Sequence, residues 1–212
     1  MKRLHIRWAV AGAIIVGLVV IYLPLIHNQT VKPHHVGPWV FGPLDARWTI
    51  TEYADLECPY CKRYMPMLKS WVQQQQNVNL QWHHLPLEIH GAAARNEARQ
   101  VECAGKLGGQ EAFWYAIEQT FALTSSNGQG FNGQLKIAGI DQKDLLACSS
   151  SDRGVAATID QHLREAVSKG ILATPTLEIR DNISGRTIKI EGPAEGLTLL
   201  SAIDWLAQRP EG

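Results

Sequence analysis

Trp48-Thr49-Ile50-Thr51-Glu52-Tyr53, then Ala54 to Glu57, then Cys58-Pro59-Tyr60-Cys61 and the run Lys62 to Gln76: this stretch decides how the chain is read. The first segment is apolar and β-prone and predicts a strand. The last predicts a helix, with Met65, Leu68, Trp71 and Val72 spaced for a core-facing stripe. Two cysteines separated by two residues, between a strand and a helix, are placed for redox chemistry. A sulfur at a helix N-terminus sits among unpaired N–H groups at the positive end of the helix dipole. Both favour the thiolate, the form that attacks a disulfide. Pro66 falls inside the helix and is expected to kink it.

The surrounding chain sets the compartment. Its 212 residues suffice for one or two compact units with a real core. Twenty Lys and Arg balance twenty Asp and Glu, so nothing points to nucleic acid. Lys2, Arg3 and Arg7 precede an uncharged apolar run, Trp8 to Ile26. As a helix the run rises about 28 Å, enough for a bilayer core of roughly 30 Å. Positive charge before it and only Lys32 soon after predict a cytoplasmic N-terminus and a translocated remainder. Residues 1–26 therefore read as a signal-anchor, with the membrane met through residues 8–26. The alternative is a cleaved signal peptide and a soluble periplasmic product, although Tyr22 to Asn28 lacks small residues placed for cleavage. Either way the cysteines face an oxidising space, and four cysteines there suggest two pairs.

Residues 27–47 carry Pro33, Gly37, Pro38, Gly42 and Pro43 without periodicity and read as a linker. His34 and His35 within it read as a surface pair. After the first helix, Val78-Asn79-Leu80-Gln81-Trp82 alternates as a half-buried strand does. From about residue 90 to 169 the pattern turns helical. Ala92 to Leu107 stops at Gly108-Gly109, and Glu111 to Leu123 puts Phe113, Trp114, Ile117 and Phe121 on one face. Ser125 to Gly133 is a polar, Gly-rich loop. Asp141 predicts an N-cap, and Ser151 or Asp152 another. Thr176 to Arg180 and Arg186 to Ile190 flank the turn-like Asp181 to Gly185, a hairpin signal. A last amphipathic helix spans about Ala194 to Ala207. The order is a βαβ half and a ββα half separated by an all-helical insertion.

That order, with these residues, resembles the thioredoxin superfamily and specifically the DsbA-like thiol:disulfide oxidoreductases, over residues 48 to 207. Cys58-Pro59-Tyr60-Cys61 matches the redox motif, and Pro66 falls where many such helices carry a proline. Leu172-Ala173-Thr174-Pro175-Thr176 is similar to the segment holding the family's cis-proline. Phe113-Trp114 after Gly108-Gly109 resembles the helical insertion, and Ile190-Glu191-Gly192 the end of the last strand. The fold implied is α/β: a thioredoxin fold over 48–209 with an inserted all-helical subdomain at about 90–169, preceded by one transmembrane helix.

The resemblance implies roles. Cys58 becomes the exposed nucleophile, and Cys61, one turn in, the buried resolving cysteine. Pro175, cis after Thr174, leaves the Thr174 backbone free to bond a substrate strand; spacing alone leaves cis and trans equally open. Glu52 corresponds to a buried acid that moves a proton to or from the inner cysteine. Cys103 and Cys148 correspond to a structural disulfide, worth about 4 kcal/mol in the chain-entropy model. The dipeptide departs from the best-known DsbA proteins, which carry His where Tyr60 stands. With Asp55 and Glu57 nearby, this predicts a moderated oxidant. No cofactor and no metal are implied. His83 and His84, adjacent on a strand, should point to opposite faces, which argues against a shared metal.

The resulting expectation is an enzyme of the bacterial inner membrane, single-pass, with its catalytic domain in the periplasm. It would introduce disulfides into exported proteins with cysteine pairs and be reoxidised by a DsbB-like membrane partner. The runner-up is a reductase or isomerase supplied with electrons across the membrane. It is disfavoured because residues 27–47 are too short for the dimerisation domain usual in isomerases. A thiol-based copper-binding module comes third; such carriers typically space their cysteines by three residues.

Overall fold

The strand leading to the cysteine pair is buried at every one of its seven positions, Trp48 to Ala54. Only a central strand covered on both faces has that pattern. In the computed structural model, residues 37–208 are described. The chain divides into a unit of Met1–His34 and a unit of His35–Gly212, and all the described helices and strands belong to the second. The expected anchor and most of the expected linker lie outside the described residues. Among the described residues no helix is long and apolar enough to cross a membrane.

Five strands, β1 (Val40–Phe41), β2 (Trp48–Ala54), β3 (Val78–His84), β4 (Thr176–Asp181) and β5 (Thr187–Glu191), form one sheet in the order β1-β3-β2-β4-β5. β2 and β3 are parallel, which requires a crossover, and α1 (Pro59–Gln73) supplies it. β4 and β5 add antiparallel, with Glu52 opposite Trp82 on one side and Leu177 on the other. α1 buries Cys61, Tyr64, Met65, Leu68 and Val72. It begins earlier than the apolar pattern suggested, because Pro59 occupies its first turn, where a missing N–H costs nothing. The helix runs on through Pro66 to Gln73. α5 (Gly196–Gln208) buries Leu199, Ala202, Ile203 and Leu206.

The insertion comprises a 3₁₀ turn (Glu88–His90), α2 (Gly91–Leu123), α3 (Gln142–Ser151) and α4 (Arg153–Ser168). α2 is interrupted at Gly109, where φ of 81° leaves the helical region, so Gly108-Gly109 separates two helical segments. Asp141 and Asp152 cap α3 and α4, accepting from the backbone N–H of Lys143 and Val155. Cys103 on α2 is bonded to Cys148 on α3, with Cα atoms 5.9 Å apart.

One expectation is corrected. The domain starts before residue 48: Trp39, Val40 and Ala46, read as linker, are buried. β1 pairs with β3, Trp39 stacks on Phe113 at 5.4 Å, and its Nε1–H donates to Glu102. A two-residue strand carries no periodicity, and the surrounding Gly and Pro read as loop. His83 and His84 face different neighbours across β3: His83 packs on Tyr53 at 5.0 Å, while His84 accepts from Trp82 Nε1–H and lies against Phe113. The His162 ring of α4 lies 4.2 and 6.0 Å from the two rings.

Candidate active site

Ala54 ends β2, and a four-residue turn delivers Cys58 to the N-cap of α1. That turn is fixed from both sides. The Asp55 carbonyl accepts from Cys58 N–H at 3.1 Å. The Asp55 carboxylate accepts from the N–H groups of Glu57 and Leu87 at 2.8 and 2.7 Å, and meets His90 Nδ1 at 2.7 Å. The Glu57 carboxylate accepts from Thr124 Oγ1–H and from the N–H groups of Asn127 and Gly128. Both acids, expected to bear on Cys58 mainly as charges, are thus saturated with donors that organise the turn.

Cys58 and Cys61 are free thiols. Cys58 was expected to be exposed; it is only 4% exposed, against 0% for Cys61. The reason is the segment before β4: the Thr174 carbonyl lies 3.5 Å from Cys58 Sγ, and the Thr174–Pro175 bond is cis. The thiol can donate to that carbonyl. Once Cys58 is a thiolate, the buried Thr174 hydroxyl, which has no other partner among the described residues, becomes the useful neighbour.

The electrostatics separate the two sulfurs. Cys58 is lowered to about 5, first by a hydrogen bond from the Cys61 thiol and then by Thr174 and the N–H groups of Cys61 and Tyr60, all working against burial. Cys61 is pushed well up, by burial and by donating that same bond, with the charges of Glu52 and Cys58 adding. One sulfur is therefore a stable thiolate and the other holds its proton. Glu52, fully buried at the middle of β2, has no hydrogen-bond partner on either oxygen among the described residues. Burial and the Cys58 charge raise it to about 8. A carboxyl so placed is protonated at neutral pH and within reach of changing state.

Beside the pair, Tyr60 is 58% exposed and its ring lies 4.9 Å beneath the Arg63 guanidinium. Tyr60, Arg63, Tyr64, Met67, Pro193, Ala194 and Glu195 line a largely apolar groove of about 340 Å³. Sequence reading singled out Tyr60 but not the groove, because Pro193 to Glu195 approach α1 only after β5 has closed the sheet. Glu97, on α2, was also missed; it sits in a helix with nothing in its neighbourhood to signal that it reaches Glu57. Cys103 and Cys148 lie apart from this site, inside the insertion.

A dithiol with one lowered and one raised thiol, at the N-terminus of a helix and facing a cis-proline segment, defines the thioredoxin class of proteins. A family model described as thioredoxin matches residues 34–196, and the chain belongs to that family, in its DsbA-like branch. The crystal structure of Pseudomonas aeruginosa DsbA2 is 50% identical and superposes with a TM-score of 0.79, covering 85% of this chain and all of that one. Wolbachia pipientis alpha-DsbA1, at 20% identity and a TM-score of 0.61 over 84% of this chain and 94% of that one, shares the fold. Among curated proteins, the Na(+)/H(+) antiporter NhaA 1 of Salinispora arenicola is 39% identical over 75% of this chain. The chain spans about a quarter of the length of the curated relatives it matches.

Proposed function

We propose that the chain is a membrane-anchored periplasmic thiol:disulfide oxidoreductase that introduces disulfide bonds into exported proteins. The observation that carries this reading is the lowered Cys58 beside the raised Cys61. A stable Cys58 thiolate favours the reduced form and makes Cys58 a good leaving group, so the disulfide form is an oxidant.

The exchange runs as two displacements. A substrate thiolate attacks Cys58 Sγ of the Cys58–Cys61 disulfide; the S–S bond breaks and its electron pair leaves on Cys61. Cys61, whose buried surroundings favour the thiol, takes a proton, and Glu52 is suited to supply it. A second substrate thiolate then attacks the substrate sulfur of the mixed disulfide and releases Cys58 as a thiolate. The substrate loses two electrons, the enzyme dithiol holds them, and a DsbB-like membrane partner would remove them. The Thr174 backbone facing Cys58 and the apolar groove beside Tyr60 suit an extended, unfolded segment as substrate. Tyr60 brings no positive charge, which favours a potential short of the most oxidising extreme.

The test is the reduction potential of Cys58–Cys61 against glutathione, together with oxidation of a reduced, unfolded protein. The oxidase reading expects a potential well above the thioredoxin value of about −270 mV. A value at or below it would instead support the reductase reading.

A further inference from the structure

The carboxylates of Asp55 and Glu57 tie the turn before Cys58 to opposite ends of α2. Asp55 holds Leu87 and His90, just ahead of the helix; Glu57 holds Thr124, Asn127 and Gly128, just after it. A third acid lies between these two attachments. Glu97, in the second turn of α2, is 2% exposed, and neither of its oxygens meets a donor among the described residues. It meets the carboxyl of Glu57 instead. The backbone of Gly130 closes over it: a methyl group there would lie 3.8 Å from Glu97 Oε1. A buried carboxyl against a carboxylate is satisfied in one way only, by a proton on one of them, since ionised carboxylates are acceptors alone. Glu57 already accepts three bonds, so the proton belongs on Glu97.

We propose that Glu57 and Glu97 share a single proton, and that the resulting carboxyl–carboxylate contact makes Glu97 a positioning residue for Cys58. The inference rests on reading Cys58 as the nucleophile, but its central claim, the proton, does not. With the proton in place Glu97 donates to Glu57, and the turn before Cys58 is joined to the body of α2 as well as to its two flanks. Without it, two negative charges face each other in a space that also contains the Asp55 carboxylate. The nitrogen groups facing the cluster are His90, whose Nδ1 meets Asp55, and Lys62, whose Nζ donates to the Thr124 carbonyl; neither bonds Glu97.

The direct test is infrared spectroscopy of the full chain at neutral pH. Glu52 and Glu97 are both expected as protonated, buried carboxyls, raised to about 8 and about 9. One protonated-carboxyl band should survive Glu52→Gln and disappear in Glu97→Gln. Its absence from the wild type overturns the proposal, as does its appearance only after a chelator removes a divalent cation from the pair. The second test is urea unfolding against pH. The folded chain keeps a proton that the unfolded chain releases at an ordinary carboxyl value. The wild-type folding constant should therefore fall relative to Glu97→Gln by about tenfold per pH unit between about pH 5 and 9, and level off above. Parallel profiles overturn the proposal.

Positioning is read from the ultraviolet titration of the Cys58 thiolate. Glu97→Ala should raise its midpoint by about half a pH unit, and Glu97→Gln, which keeps a donor, should restore it. If both variants titrate like the wild type, or both are displaced equally, Glu97 does not position Cys58. None of these readouts needs turnover. A chain that fails to exchange with glutathione would sink the proposed function and leave the shared proton standing.

Discussion

The molecule holds two cysteine pairs, and their surroundings set them apart. Cys103 and Cys61 are both fully buried, and Cys58 nearly so. Cys103 and Cys148 join α2 to α3 in a closed bridge. Cys58 and Cys61 occupy one turn of one helix, are free, and share a hydrogen bond that lowers one and raises the other. What separates a structural pair from a reactive one here is the supply of hydrogen-bond donors and ionisable neighbours: N–H groups at a helix start, the Thr174 hydroxyl and a buried carboxyl.

The sharpest way to break this contrast is to disable each pair in turn. Cys58→Ala should reduce exchange with a glutathione-linked substrate to the uncatalysed rate, with little loss of stability. Retained turnover would remove Cys58 as nucleophile. Replacing Cys103 and Cys148 together by Ala should do the reverse: exchange persists, while stability by urea unfolding drops by about 4 kcal/mol, the chain-entropy value for a 45-residue separation. A smaller loss would mean the insertion is held by packing rather than by its bridge.

The next effect is on pH dependence. Cys58 is lowered from 9 to about 5, so the reduced form gains stability that is present above pH 9 and lost as pH falls through about 5. Thiolate absorbance should titrate near pH 5, and the Cys58→Ala variant should lack that step. Glu52→Gln should slow exchange by about tenfold at neutral pH and abolish a kinetic step near pH 8, a modest loss for an acid–base group acting through one proton. An unchanged profile would leave Glu52 as a buried acid without a part in exchange.

The smallest effect involves neither pair directly. His83 and His162 are lowered to about 3 and about 4, chiefly by burial. Their neutral forms contribute stability that is present above about pH 6.5 and lost as pH falls toward those values. In His162→Gln the acid limb of urea stability should lose one proton's worth of slope.

The placement of Cys58 and Cys61 was legible because their setting is local. Strand, Cys58-Pro59-Tyr60-Cys61 and helix are contiguous, and a helix start acts on a sulfur whatever packs above it. Order of elements carried the rest of the fold, including the break at Gly108-Gly109 and the caps at Asp141 and Asp152, since each is a short-range backbone requirement. What escaped notice depends on distant contacts. Trp39 looks like a linker residue until Phe113 and Glu102 are beside it. Glu97 reads as an ordinary helix glutamate until Glu57, forty positions earlier, is brought against it. The near-complete cover over Cys58 comes from Thr174, on the far side of the insertion.

The free edge at β5 has a consequence for a protein proposed to handle unfolded chains. Such chains are rich in unpaired backbone and seek any open strand. β5 ends the sheet, yet Thr187, Lys189 and Glu191 are its exposed positions and Ile188 and Ile190 turn inward. Lys189 also pairs with Glu191 along the strand. A charged, short edge is a poor template for another strand. Under the proposed function, unfolded partners are thereby left to engage at the dithiol end, where contact is followed by chemistry and release, rather than along an edge where it would end in aggregation.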